Sequence, residues 1–287
     1  MVEIRQGKLS DCKDLLTVYQ TTRWYYLERE NGYTTVEDVK AEHQLLGFKN
    51  WGWLVAEKDG IVIGEIVFRV EKNPVAGRIG IIRSLDVDVR HQKTTIGTQL
   101  TRAAEKTLKE KRAARVVSIS PPEAYNFWMK VEYFARGSLV NINVNPERVK
   151  KVSPKGMKPF EIKNLDKLPK SMEFSNLAVP GLIVEMINQI KMKQSSGKLY
   201  EFYQSDALIG IGALRRVTPK LAEFVIDCTL LGKTHFGFLV DKIATAAIRL
   251  GVKRILSKIP KDQVDLYRSV GRWSVEDARE IPVTRLL

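Results

Sequence analysis

The sequence predicts an α/β protein built as two tandem copies of one domain, each a mixed central sheet flanked by helices. Three observations carry this. Helical and strand periodicities alternate in the order ααβββαβαβ over the first half, a pattern that covers a mixed sheet with helices. The pattern then recurs with a nearly fixed offset. Lys93-Thr94-Thr95-Ile96-Gly97 echoes Lys233-Thr234-His235-Phe236-Gly237, an offset of 140, and Arg115–Pro121 echoes Arg254–Pro260, an offset of 139. Phe127-Trp128 echoes Leu266-Tyr267, again 139. Finally, residues 148–173 hold three prolines and many lysines and read as a linker. The expected domains are therefore 1–148 and 149–287.

Each element has a local reason. Leu15, Leu16, Tyr19 and Trp24 recur at helical spacing behind Ser10 and Asp11, and predict a helix over 10–30. Thr35, Glu37 and Asp38 open a second helix over 35–48. Trp53 to Glu57 alternates, Lys58-Asp59-Gly60 is a hairpin turn signal, and Ile61 to Val70 is β-branched. Ile79 to Val89 is a further strand, followed by a helix over 96–113. Val116 to Ser120 reads as a buried strand, 121–131 as a helix, and Ser138 to Val144 as the last strand of the copy. In the second half, helix 177–193 precedes a hairpin of 199–204 and 208–217. Strand 221–230, helix 236–250, strand 254–258 and helix 262–270 follow.

Composition excludes several classes. Apolar residues make up 44% and charged residues 28% of 287, which is globular and neither disordered nor fibrous. No apolar run approaches the ~18 residues of a membrane span, and MVEIRQGKLSDCKD lacks a signal-peptide core. Cys12 and Cys228 are too few for a disulfide framework or a cysteine zinc site. The chain thus reads as cytoplasmic. Lys plus Arg exceed Asp plus Glu, 47 to 33, and a net charge of +14 suits anionic partners such as cofactor phosphates, acidic substrates or nucleic acid. Trp24, Tyr25, Tyr26, Trp51 and Trp53 suit base stacking or, more simply, a core or cleft wall. His43, His91 and His235 show no ligand-like spacing, so no metal is expected.

The informative stretch is Leu85 to Leu100, LDVDVRHQKTTIGTQL, a strand leading through small residues into a helix. Such a junction offers free amides and a partial positive charge to an anion. Its spacing resembles the signature of the GNAT superfamily of N-acetyltransferases, roughly L-x-V-x-P-x-x-R/Q-G-x-G-I-G-x-x-L. Leu85, Val87, Gln92, Ile96, Gly97 and Leu100 match, with Val89 for proline and Lys93 and Thr95 for two glycines. A later family block, A-x-x-L/F-Y-x-K-x-G-F, is matched by Ala124, Phe127 and Lys130, with Trp128, Glu132 and Tyr133 as departures. The likeness covers about residues 2–145, and 175–280 resemble a second, degenerate copy.

The resemblance implies acetyl transfer from acetyl-CoA to an amine. Its pyrophosphate would sit on the amides of Gln92, Lys93, Thr94, Thr95, Ile96, Gly97 and Thr98, helped by Arg90. The strand backbone at Val87 and Val89 would meet the pantetheine arm, beside Asn126 and Phe127. Where the family keeps a thiolate-protonating tyrosine, this chain has Trp128, which leaves Tyr125 or Tyr133 as the acid. Where many members keep a glutamate base it has Arg83, which leaves Glu65, otherwise a solvated strand residue. Thr95 would strain a loop that needs positive φ. The alternative function is a non-catalytic module that senses CoA or holds nucleic acid.

Overall fold

A computed structural model describes residues 1–22, 35–45, 48–73, 77–153, 156–163, 178–192 and 196–287. Trp24, Tyr25, Tyr26 and much of the expected linker lie outside the described residues. The chain forms two compact units. No helix among the described residues is long and apolar enough to cross a membrane.

The first unit starts with strand β1 (Val2–Gln6), helix α1 (Cys12–Thr21) and helix α2 (Val36–Glu42). Thr35 caps α2 as its sequence suggests: its hydroxyl accepts from Asp38 N at 3.2 Å, and Asp38 accepts from Thr35 N at 2.9 Å. Asp11 does not cap α1, because its carboxylate is drawn to Arg5 at 2.7 Å and to the Lys8 amide at 3.0 Å. Strands β2 (Trp53–Lys58) and β3 (Ile61–Asn73) join through Asp59 and Gly60, with φ of 53° and 79°, the two positive values a tight hairpin requires. Then come β4 (Gly77–Val87), α3 (Ile96–Glu110), β5 (Arg115–Ser120), α4 (Tyr125–Lys130) and the short β6 (Phe134–Ala135).

The second unit contains β7 (Leu139–Val144), β8 (Met157–Glu161), α5 (Leu182–Met192), β9 (Gly197–Gln204), β10 (Ala207–Arg216) and β11 (Leu221–Cys228). It continues with α6 (Leu230–Thr234), α7 (Phe236–Arg249), β12 (Arg254–Pro260), α8 (Val264–Val270) and β13 (Ser274–Asp277). The last strand, β14 (Ile281–Leu286), belongs to the first unit.

Among the described residues, each unit holds a seven-stranded mixed sheet, ordered β1-β2-β3-β4-β5-β14-β6 and β13-β7-β12-β11-β10-β9-β8. The repeat is real in three dimensions. The starts of α7, β12 and α8 follow those of α3, β5 and α4 by 140, 139 and 139 residues. In both sheets a parallel pair of matching register joins the same strands, Ile79↔Arg115 to Ile81↔Val117 in one and Leu221↔Arg254 to Glu223↔Leu256 in the other.

The division of the chain differs from a cut at 148/149. Strand 139–144 lies antiparallel to β12 in the second sheet, and the first sheet receives β14 from the far end of the chain. A strand inserted from a distance leaves no local pattern at its destination, so periodicity alone placed 139–144 with its sequence neighbours.

Candidate active site

β4 and β5 pair only as far as Ile81 and Val117, with the Ser118 hydroxyl donating to the Ile82 carbonyl at 3.2 Å just beyond. From there β4 runs on without β5, and Arg83, Ser84, Leu85 and Val87 are half-buried. Two parallel strands that part in this way expose backbone edges in the gap. A single turn follows, in which Asp88 accepts from the Arg90 amide at 2.9 Å and pairs with the Arg90 guanidinium at 2.6 Å. Arg90 is thus already engaged by a carboxylate. The Gln92 side chain donates to the Val87 carbonyl at 2.9 Å, and the Thr94 hydroxyl to His91 O at 2.7 Å.

Lys93 has φ of 60°, whereas Thr95 is right-handed at −83°. The strain expected at Thr95 is absent, and the loop places its left-handed residue two positions earlier. Helix α3 starts at Ile96. Among the described residues, the amides of Lys93, Thr94, Thr95, Gly97 and Thr98 meet no backbone acceptor, while Gln99 N already bonds Thr95 O at 2.9 Å. Free amides on an exposed turn at a helix N-terminus form an anion cradle. Replacing Lys93 by glycine removes the left-handed penalty of ~1–2 kcal/mol, offset in part by glycine's greater unfolded freedom. We expect Lys93→Gly to gain up to about 1 kcal/mol, read as a higher urea midpoint at unchanged slope.

Gly97 carries the contact between α3 and α4. A Cβ there would lie 3.0 Å from Phe127 Cε2, so only glycine lets the ring come this close. Phe127 meets Trp128 edge-on, centroids 5.3 Å apart, and Asn126 is exposed beside them. The loop, Gly97 and Phe127 are therefore brought together. Tyr133 is not part of this group. Its ring packs against Trp128, and its hydroxyl is buried toward Glu105. Glu105 lies eight residues along α3 from Gly97, about 12 Å at helical rise. Burial, with the Glu105 charge, pushes the Tyr133 phenol well above its ordinary range. Tyr125 is half-buried.

Glu65, on β3, is fully buried and is not the solvated strand residue its sequence suggests. One carboxylate oxygen accepts from the Tyr19 hydroxyl; the other meets His43 Nε2 and Trp53 Nε1, each at 2.8 Å. His43 Nδ1 lies 2.8 Å from the Val39 carbonyl, and its ring stacks on Trp53 with centroids 4.0 Å apart. Burial opposes the His43 charge, but the Glu65 carboxylate, the Cys12 thiol and the Val39 carbonyl outweigh it, and its pKa is pushed up to about 10. Burial likewise opposes ionisation of Glu65, but His43 and the Tyr19 and Trp53 donors hold its carboxyl below the usual range. A carboxylate so well satisfied is a poor proton acceptor.

The linkage has a definite sign. The His43 contribution is fully present below about pH 6.5 and is lost as pH rises toward about 10. The Glu65 contribution is present above about pH 4.5 and is lost in acid. We expect the melting temperature to fall more between pH 6.5 and 10 in the wild type than in His43→Gln; parallel profiles would mean that His43 is neutral in the folded state.

The sequence model of the acetyltransferase (GNAT) family matches residues 17–131, the span that holds the parting strands, the amide loop and the Gly97–Phe127 contact. This segment belongs to the acetyltransferase (GNAT) family. Solved structures are similar in fold over the chain as a whole. A GCN5-related N-acetyltransferase from Kribbella flavida is 12% identical with a TM-score of 0.63, over 100% of this chain and 71% of that one. One from Anabaena variabilis is 10% identical with a TM-score of 0.66, over 100% and 73%. A tandem GNAT protein from the clavulanic acid biosynthesis pathway is 13% identical with a TM-score of 0.54, over 100% and 98%. No curated protein matches the sequence.

The departures of this GNAT domain from its family signature now have structural readings. Two of the three replaced glycines, at Lys93 and Glu132, keep left-handed backbone, with φ of 60° and 65°. Glu132 is held there by Arg102 and Arg285, at 2.9 and 2.8 Å. Arg83 forms an ion pair with Glu42 of α2. Among the described residues, no group of three or more His, Cys, Asp or Glu is arranged to hold a metal ion.

The second unit shows no such cradle among its described residues. Its counterpart of the β4 segment is closed, with Phe224, Val225, Ile226 and Cys228 all buried. Its loop has become helix α6, whose turn consumes its own amides: Gly232 N donates to the Thr229 hydroxyl, Lys233 N to Thr229 O and His235 N to Gly232 O, at 3.0–3.1 Å. The tyrosine it retains, Tyr267, is buried edge-on against Phe236 at 4.8 Å and against Trp273 at 5.3 Å. Burial raises its pKa far out of reach of acid chemistry.

Sequence reasoning missed Tyr19, His43 and Glu42. They stand on α1, at the end of α2 and just past it, and only tertiary folding brings them to β3 and β4. Spacing gave no signal, because Tyr19, His43 and Glu65 are separated by 24 and 22 residues with no shared motif.

Proposed function

We propose that the first unit binds acetyl-CoA and transfers its acetyl group to an amine. The observation that carries this is the parting of β4 from β5 directly before a loop in which the amides of Lys93, Thr94, Thr95, Gly97 and Thr98 meet no backbone acceptor among the described residues. The pyrophosphate fits the amides of Lys93–Thr98, with Gln92 and Thr94 shaping the turn. The pantetheine arm runs along the backbone near Val87 and Val89, with Asn126 and Phe127 at its thiol end. Backbone amides there polarise the thioester carbonyl.

The neutral amine attacks the carbonyl carbon, the C–S bond breaks, and the CoA thiolate leaves while the nitrogen loses its proton to water. A thiol with a pKa near 8.5 leaves as thiolate without much help. The reaction therefore tolerates Trp128, a buried Tyr133 and a Glu65 already committed to three donors. Cys12 and Cys228 are buried thiols outside any disulfide, which suits the reducing cytoplasm. Calorimetry with CoA, followed by thiol release from acetyl-CoA with peptides and polyamines as acceptors, tests the reading. Tight CoA binding without any acceptor would favour a sensor, and no CoA binding would end the proposal.

A further inference from the structure

Resting on this reading of the site, we infer that His43 is a positioning residue for acetyl transfer, acting through Glu65 on the end of β4. The linkage is continuous. His43, just past the C-terminus of α2, and Tyr19 on α1 both end on the Glu65 carboxylate, and Trp53 on β2 closes the third side. Glu65 follows Gly64, and a Cβ on Gly64 would lie 2.9 Å from the Asp86 carbonyl and 3.4 Å from Val87 Cα. Ile63 O accepts from Asp88 N at 2.9 Å. Residues 63–65 of β3 are thus the ledge on which 86–88 of β4 rest, and 86–88 lead directly into the amide loop. Tyr19 is followed on α1 by Thr21, whose hydroxyl accepts from Val89 N at 3.4 Å.

A buried ion pair with every oxygen occupied has one arrangement, and replacing one partner leaves the other charge unpaired. The β3 ledge is therefore held at a fixed height, and the backbone at Val87 with it. Positioning errors of about 1 Å at a reacting group cost on the order of a hundredfold in rate. The network acts through the strand.

The test uses the full chain with His43→Gln, Tyr19→Phe and a control, Asp11→Asn. The control breaks the other ion-pair network at the foot of α1, where Arg5 holds Asp11 and Glu57 at 2.7 and 2.6 Å. CoA affinity is measured by calorimetry well below each melting temperature, and kcat with any acceptor found active. His43→Gln is expected to weaken CoA at least tenfold and to lower kcat. Tyr19→Phe, which keeps the ion pair, is expected to weaken CoA about threefold. Asp11→Asn is expected to lower the melting temperature with CoA affinity unchanged. Wild-type affinity in a folded His43→Gln overturns the inference. If that variant does not fold, wild-type affinity in Tyr19→Phe overturns it instead. Equal weakening by Asp11→Asn would also overturn it, since any loss of stability would then suffice. A wild-type chain that fails to bind CoA at all defeats the functional reading first, and the two failures are thereby distinguished.

Discussion

Gly97→Asp is expected to abolish CoA binding while Gly237→Asp leaves it nearly unchanged. At Gly97 two effects act together. The new Cβ falls 3.0 Å from the Phe127 ring, so α3 and α4 must separate or the ring must turn. The new carboxylate would sit at the N-terminus of α3 among the open amides of Lys93, Thr94, Thr95, Gly97 and Thr98, where it would take up donors and repel the proposed pyrophosphate. One charge 4 Å from another is worth ~4 kcal/mol at an effective dielectric near 20, so a dianionic pyrophosphate faces a loss of several powers of ten. Helix dipole and new charge favour each other, so the variant should remain folded. Gly97→Ala separates the effects: it brings the Cβ without the charge and should weaken binding only modestly. Gly237 has Val152 and Val270 as its nearest contacts, at 3.2 and 3.5 Å, and its turn has consumed its own amides. Calorimetry on the three variants decides the matter, and the opposite pattern would move the site to the second unit.

How far this site was legible in the sequence follows from which constraints are local. The turn at Asp59-Gly60, the Thr35 cap and the strand–loop–helix around Leu85–Leu100 are each specified within a few residues, and each is found where the residues imply. The match of Lys93 and Glu132 to family glycines identified the two positions that are indeed left-handed, although strain was assigned to Thr95. The environment of Glu65 was not legible. Alternation in Ile61–Val70 fixes which face a residue takes, but not whether α1 and α2 bring a tyrosine and a histidine to meet it. Tyr133 shows the same limit. Its place one turn after Trp128 suggested a substitute acid, but the chain turns at Glu132 and carries the hydroxyl to Glu105. The terminal strand was missed because Pro282 and Arg285 break its pattern, and because its partners lie about 150 residues away.

That strand makes the second large prediction. Deleting residues 281–287 should unfold the first unit and eliminate CoA binding, although the signature loop lies some 180 residues earlier. β14 sits between β5 and β6, and without it β5 becomes an open edge. Val283 and Thr284 are buried, and losing Val283 alone removes ~2 kcal/mol of apolar burial. The Thr284 hydroxyl donates to Val116 O at 2.8 Å, Leu287 N to Ala114 O at 3.2 Å, and Arg285 to Val131 O at 2.8 Å. At about 1 kcal/mol each, with the β-ladder in addition, these losses approach the 5–15 kcal/mol that holds a typical domain. A fragment of residues 1–148 should fail for the same reason, and it also carries β7 without β12, its antiparallel partner. The sequence alone would have such a fragment fold with an exposed apolar face. The register supplies the repair. β6 and β14 are antiparallel, with Ala135 opposite Val283 and Arg136 N bonded to Pro282 O at 2.9 Å. Joining residues 1–136 to 282–287 through Asn-Gly makes a two-residue hairpin of the favoured type. This short chain should melt cooperatively and bind CoA, whereas 1–148 should aggregate. A soluble, CoA-binding 1–148 fragment would show that β14 is dispensable to the first sheet.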